Sequence, residues 1–153
     1  MRVSAKTDYA LRAALELAAA AADEKPMKGE RIATAQAIPL RFLENILMQL
    51  RHAGLVDSRR GAEGGYRLAR PAAEVTLADV IRAIDGPLAG VGGARPETLA
   101  FQGVAEPMRD VWIGVRASLR NVLERVTLAD VIAGNLPGHV REMLADEDAW
   151  VSH

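Results

Sequence analysis

The residues best equipped for chemistry lie between Arg59 and Arg70, in the run Arg-Arg-Gly-Ala-Glu-Gly-Gly-Tyr-Arg-Leu-Ala-Arg. Guanidinium groups bind phosphate oxygens through paired N–H donors, and glycines let a backbone come close to a ligand. A nucleotide phosphate loop needs a Gly-Lys-Ser/Thr ending that opens a helix. This stretch has no such ending and runs instead into the strand-like Tyr66-Arg67-Leu68-Ala69. The glycines therefore read as a hairpin tip, and what the tip touches is open at this point. Other reactive residues are sparse. His52, His139 and His153 are scattered, and no Ser/His/Asp pattern, metal-ligand spacing or paired carboxylate cluster is visible, which argues against an enzyme. The chain has no cysteine, so disulfides, thiolate metal sites and cysteine nucleophiles are excluded. That absence fits a reducing compartment.

These residues need a scaffold. A length of 153 residues suits one compact domain with an appended element. Half the residues are hydrophobic and only 4% are aromatic, so the core is built of Ala, Leu, Val and Ile. The net charge of −1 hides an asymmetry: residues 1–71 hold 12 Lys/Arg against 8 Asp/Glu, residues 72–153 hold 7 against 12. The basic half is the one suited to a polyanion. The alanine-rich run 13–22, behind Arg2 and Lys6, resembles a signal-peptide core, but Glu16 interrupts it. No stretch reaches the length of a membrane span, and the expected location is the cytoplasm.

Apolar residues at helical spacing predict a helix over 6–22, ended by Asp23-Glu24-Lys25-Pro26. A short helix fits 30–37. After Ile38, Pro39 suits a first helical turn, and Phe42, Leu43, Ile46, Leu47 and Leu50 form an apolar stripe. Arg41, Glu44, Asn45, Met48 and Arg51 lie off it, and Gly54 is placed to end the helix in a left-handed conformation. Two strands follow, 55–59 and 66–69, joined by the glycine tip. The heptapeptide Val-Thr-Leu-Ala-Asp-Val-Ile occurs twice, at 75–81 and 126–132, each time with Thr three residues before Asp, close to a capping box. It reads as one local solution for a short helix used twice.

Residues 86–103 are loop-like, with five glycines and two prolines. A long helix is expected over 106–126, where Met108, Trp112, Val115, Leu119, Val122 and Val126 are spaced 4, 3, 4, 3, 4. That is a heptad seam, open to two readings: a helix–helix dimer interface, which the length of the helix favours, or a helix packed on its own core. The tail 136–153 is acidic and expected to be solvated.

The order of elements is that of a winged helix-turn-helix: mainly α, with a small β-hairpin wing and a long C-terminal dimerisation helix. A helix presented on its polar face fits the roughly 12 Å major groove, and an arginine beside a slim hairpin tip can enter the minor groove. Residues 28–70 carry eight Lys/Arg, among them Lys28, Arg41, Arg51, Arg59 and Arg60, against four Asp/Glu. The expected partner is double-stranded DNA bound by a homodimer at a two-fold-related operator. A winged-helix protein–protein module without DNA binding is the alternative, and the hairpin arginines argue against it.

Five motifs occur in order: Lys-Thr-Asp-Tyr-Ala-Leu-Arg-Ala from Lys6, Ile-Pro-x-x-Phe-Leu-Glu-x-Ile-Leu from Ile38, Ala-Gly-Leu-Val from Ala53, Arg-Gly-x-x-Gly-Gly-Tyr-x-Leu-Ala-Arg from Arg60, and Thr-Leu-Ala-Asp-Val-Ile-x-Ala-Ile-Asp-Gly-Pro-Leu from Thr76. With them the chain resembles the Rrf2 family of bacterial transcription regulators, whose members include an iron–sulfur cluster regulator, a nitric-oxide-sensing repressor and a cysteine-metabolism repressor. The resemblance implies a recognition helix that starts near Pro39, with Leu40, Arg41 and Glu44 facing the groove. Glu44 is then either an acceptor for a cytosine amine or an ordinary exposed acid. Arg60 is implied as the minor-groove arginine beside Gly61, with Gly64, Gly65 and Tyr66 building the wing. The implied organisation is a DNA-binding domain over 1–86, an effector or linker loop over 87–104, a dimerisation unit over 105–135 and a tail over 136–153. Cluster-binding relatives carry three cysteines in the loop. Here there are none, so a thiolate-held cluster cannot form and no cofactor is expected. Control is left to a small-molecule effector, in a pocket near Trp112, to a protein partner, or to the level of the protein with no effector, and repression is the expected mode.

Overall fold

The computed structural model describes residues 3–23 and 25–152; Arg2, Glu24 and His153, named above, lie outside them. The first helix, α1 (Ala5–Ala19), is capped by Ser4, whose hydroxyl accepts from the Thr7 amide at 3.1 Å. Its inner face is Ala10, Ala13, Ala14, Leu17 and Ala18, all buried. Alanines raise helix propensity and leave room for partner backbones, and α1 packs against nearly every element of the first half. Two of these are α2 (Gly29–Gln36) and α3 (Leu40–His52). The turn between α2 and α3 is made by Ala37, in the left-handed region at φ 51°, and by buried Ile38. Pro39 stands just before α3 as its cap residue rather than inside the first turn. Gly54, at φ 72°, closes α3 as expected.

The wing is an antiparallel pair, β1 (Val56–Arg59) with β2 (Gly65–Leu68), in the register Val56 opposite Leu68 and Arg59 opposite Gly65. Tyr66 also pairs with Met27 through both backbone groups, each at 2.8 Å, so the wing is stitched to the segment before α2. Two glycines make this geometry accessible. A Cβ at Gly64 would collide with the Arg59 carbonyl oxygen, and one at Gly65 would lie 2.5 Å from the Met27 carbonyl oxygen. No other residue fits either position without moving backbone.

The remaining helices are α4 (Leu77–Asp85), α5 (Met108–Leu123), α6 (Leu128–Ile132) and α7 (Gly138–Leu144). The two heptapeptide copies do more than repeat. Thr76 and Thr127 face each other in an antiparallel bridge, with Leu77 N donating to Val126 O at 3.0 Å and Leu128 N to Val75 O at 2.9 Å. Both copies then enter a helix through a complete capping box, Thr76 with Asp79 and Thr127 with Asp130. Leu128 is fully buried in the same core as α1 and α3.

This pairing corrects two expectations. The long helix stops at Leu123, and Val126, expected as the last seam residue, lies beyond it at 2% exposure, bonded to its own chain. The seam on α5 therefore ends at Val122. The segment from Val126 to Ile132, expected to belong with the dimerisation helix, packs on α1. The tail carries α7, where Val140 is buried and His139 Nε2 lies 2.8 Å from the Asn121 carbonyl oxygen of α5, and its described residues from Arg141 onward stay exposed.

The Asp130 carboxyl is held below the usual carboxylate range by the Thr127 amide and then by the Thr127 hydroxyl. A pKa lowered in the folded state adds stability above the ordinary aspartate range and loses it as pH falls through the lowered value. Thr127→Ala should cost about 0.5–2 kcal/mol in urea unfolding at neutral pH, the usual value of an N-cap hydroxyl. The deficit of Asp130→Ala should shrink toward zero in strong acid. Unchanged stability of both variants at pH 7 would mean that the paired caps contribute nothing.

Candidate nucleic-acid interface

One face of α3 is buried through Leu43, Ile46, Leu47 and Leu50, while Leu40, Arg41, Glu44, Asn45, Met48 and Arg51 are exposed on the other. Phe42, expected on the buried stripe, is 43% exposed. At the first turn of α3 the stripe reaches the edge of α1, and Phe42 meets Tyr9 edge-on with centroids 5.7 Å apart. Arg12 stands over the Tyr9 ring at 4.8 Å, and its Nη1 donates to the Gln36 carbonyl oxygen at 2.9 Å. Two neighbouring side chains of α1 thus hold the helix-turn-helix at its turn and at the entry to α3.

The wing and the start of α2 enclose a cleft of about 410 Å³ lined by four cations, Lys28, Arg51, Arg59 and Arg60, and one acid, Glu30, together with Gly29, Ser58, Gly61, Gly64, Gly65 and Tyr66. Arg51 Nη1 donates to Ser58 Oγ at 3.0 Å, which ties the end of α3 to the wing. Ser58 carries no sequence signal of its own; its part is visible only once the chain has reversed at Gly54. The Tyr66 ring packs toward Gly29, as does the Leu40 side chain, so the starts of α2 and α3 and the wing meet there. Leu40, Arg41 and Glu44 lie on the exposed start of α3, outside the lining of the cleft. Arg67 lies 3.7 Å from Asp57 and Arg70 3.8 Å from Asp79. In contrast, Lys28, Arg31, Arg41, Arg59 and Arg60 form no ion pair with a described carboxylate. Exposed cations left unneutralised beside a protruding helix are what a phosphate backbone requires.

The second region of interest is the loop 87–104 and the α5 helix beyond it. The loop folds on itself, with Val91 and Ala94 exchanging two backbone bonds at 3.0 Å, and Glu97 pairs with Arg116 of α5. Glu124 receives both Arg82 of α4 and Arg120 of α5 on the same oxygen. The Glu97 carboxyl is held below the usual range by its own backbone amide and then by Arg116, that of Glu124 by Arg82 and then Arg120. Of the expected seam, Met108 is exposed and Trp112, Val115, Leu119 and Val122 are half-buried; no residue of α5 is fully buried. Trp112 lines neither of the two clefts described beside α5. The pocket expected beside it opens farther along α5, around Arg116 and Arg120 on one side and around Val115 and Leu119 on another. Among the described residues no helix is long and apolar enough to cross a membrane.

Residues 3–134 match the model of the Rrf2 family, described as iron-dependent transcriptional regulators. A Mycobacterium tuberculosis protein carrying the name of an HTH-type transcriptional regulator is 50% identical over 152 residues, covering 99% of this chain and 94% of that protein. The HTH-type transcriptional regulator CymR of Bacillus subtilis is 36% identical over 131 residues, 86% of this chain and 89% of CymR. Among solved structures, CymR of B. subtilis, titled the global cysteine regulator, superposes with a TM-score of 0.73 at 34% identity, covering 87% of this chain and 97% of that one. IscR of T. potens gives 0.71 at 34% identity, with 88% of each chain covered. The iron named in the family description has no fitting donor set in the loop. The chain has no cysteine, Glu97 is engaged by Arg116, and no group of three or more His, Cys, Asp or Glu that could hold a metal occurs among the described residues. With the winged helix-turn-helix in place, the family model spanning most of the chain and relatives matched nearly end to end, this protein belongs to the Rrf2 family of transcriptional regulators.

Proposed function

We propose that this protein is a homodimeric, sequence-specific DNA-binding repressor, controlled by a small ligand or a partner protein and not by an iron–sulfur cluster. The observation that carries the reading is the set of unpaired cations, Lys28, Arg31, Arg41, Arg59 and Arg60, around the exposed start of α3 and the wing. In this reading Leu40, Arg41 and Glu44 enter the major groove, with Glu44 accepting from a cytosine amine. Arg60, beside Gly61 at the tip, enters the minor groove, and Lys28, Arg51 and Arg59 meet phosphates. Repression follows the mode of the repressors that the sequence resembles.

Dimerisation is supported by α5. A 16-residue helix that buries no residue is not held by its own core. Val111 is 51% exposed, and Val115, Leu119 and Val122 border an apolar groove of about 910 Å³ shared with Leu11, Ile81 and Met143. A second copy of α5 laid along this seam would cover it by heptad packing.

Duplex binding should weaken steeply with salt, with a log–log slope of several units from released counterions. Arg60→Ala should cost about 1–3 kcal/mol of operator affinity. A flat salt response, or no retardation of duplex at low salt, overturns the DNA-binding reading. Val115→Asp places a charge in the seam and should yield folded monomers by sedimentation. A variant that stays dimeric would place the interface elsewhere.

A further inference from the structure

Between α4, the glycine loop and α5 lies a cleft of about 570 Å³, and its most prominent lining groups are four arginines distant in sequence: Arg82, Arg95, Arg116 and Arg120. Three of them are held in place by acids, Arg116 by Glu97 and both Arg82 and Arg120 by one oxygen of Glu124. Each of these three is engaged through a single nitrogen, and a guanidinium carries five N–H donors. Arg95, exposed on the loop, forms no ion pair with a described residue. The remaining acid in the lining, Asp85, takes hydroxyl hydrogen bonds from Ser4 and Thr7 on the α1 side. The cleft therefore presents pre-positioned, uncommitted guanidinium donors in a space of the size that holds small molecules.

We propose that this cleft binds a small organic anion with two or more negative charges, a polycarboxylate or a phosphorylated metabolite, held by Arg95, Arg116, Arg82 and Arg120. Forked Arg donors match the oxygens of both groups. Such an anion joins the loop, α4 and α5. Because α4 packs on α1 and α3, an anion favouring one arrangement of these elements shifts the setting of α3. Binding stands on the cleft alone; its regulatory consequence rests on the DNA-binding reading above.

The test is calorimetric titration of the full chain, without DNA and at constant ionic strength, with citrate, inorganic phosphate and, as a singly charged control, acetate. Saturable binding of citrate or phosphate is expected, with acetate at least 10-fold weaker. Citrate tighter than phosphate marks a polycarboxylate site, and the reverse marks a phosphate site. Arg95→Gln, at an exposed position that does not endanger folding, should weaken the tighter probe at least 10-fold. Arg109→Gln, an equal loss of charge at the other end of α5, should leave it unchanged. If neither probe saturates, or if Arg109→Gln weakens binding as much as Arg95→Gln, the site is overturned. Operator affinity, measured with and without the binding probe, should change several-fold in the wild type and not in Arg95→Gln. Anion binding with unchanged operator affinity overturns the regulatory half alone, and a protein that binds the anion but no duplex overturns the DNA-binding reading while leaving the cleft intact.

Discussion

The fold depends on how closely other elements can approach α1. Side chains at a helix contact set the distance between axes, and the inner face of α1 is mostly alanine, broken by Thr7 and Leu17. That face lets α2, α3, α4, α6 and β2 pack on one helix, and it lets a chain with so few aromatics close a core. The larger residues of α1 lie at its margins, where Tyr9 and Arg12 hold the entry to α3 and the preceding turn. The exposed face of α3 is thus aimed by contacts made on its opposite side.

The second constraint is the pairing of the two heptapeptides. It returns the chain after α5 to the core, so that α5 is anchored to the winged domain by main-chain bonds just past its end and by the Arg82–Glu124 ion pair, and to the loop by Glu97 and Arg116. A helix fixed in this way buries no residue fully yet keeps a defined direction. Its apolar seam and the arginine cleft lie on one rigid support, which also carries the elements behind α3.

The helix-turn-helix and wing were legible in the sequence because their signals are local. Pro39, Gly54 and the glycines of the tip mark boundaries by backbone geometry alone, and the stripe from Leu43 to Leu50 has its period within a few turns. What was not legible depends on distant partners. Val126 satisfies the heptad spacing and still belongs to the core, since its place is decided by Val75 and Leu77, far away in the chain. The repeated heptapeptide was visible, but nothing in one copy says that it pairs with the other. Phe42 fits the stripe by period, and only the edge of α1 shows that it faces Tyr9. The exposure of the acidic tail follows from its charges, whereas the contact that seats it, His139 on the Asn121 carbonyl oxygen, depends on a residue outside it. The arginine cleft escaped notice for the same reason as the pairing: Arg82, Arg95, Arg116 and Arg120 converge only in three dimensions, although the spacing of Arg116 and Arg120 places both on one face of α5.

The central claim is that two copies of the α3-and-wing surface read a two-fold-related DNA site. The most direct measurement is capture of sheared genomic DNA by the purified protein at physiological salt, followed by sequencing of the retained fragments. Enrichment of a motif with two-fold symmetry is expected, its half-sites separated by about one or more turns of the duplex. Fragments retained without a shared motif, or a motif with no symmetry, would contradict the claim.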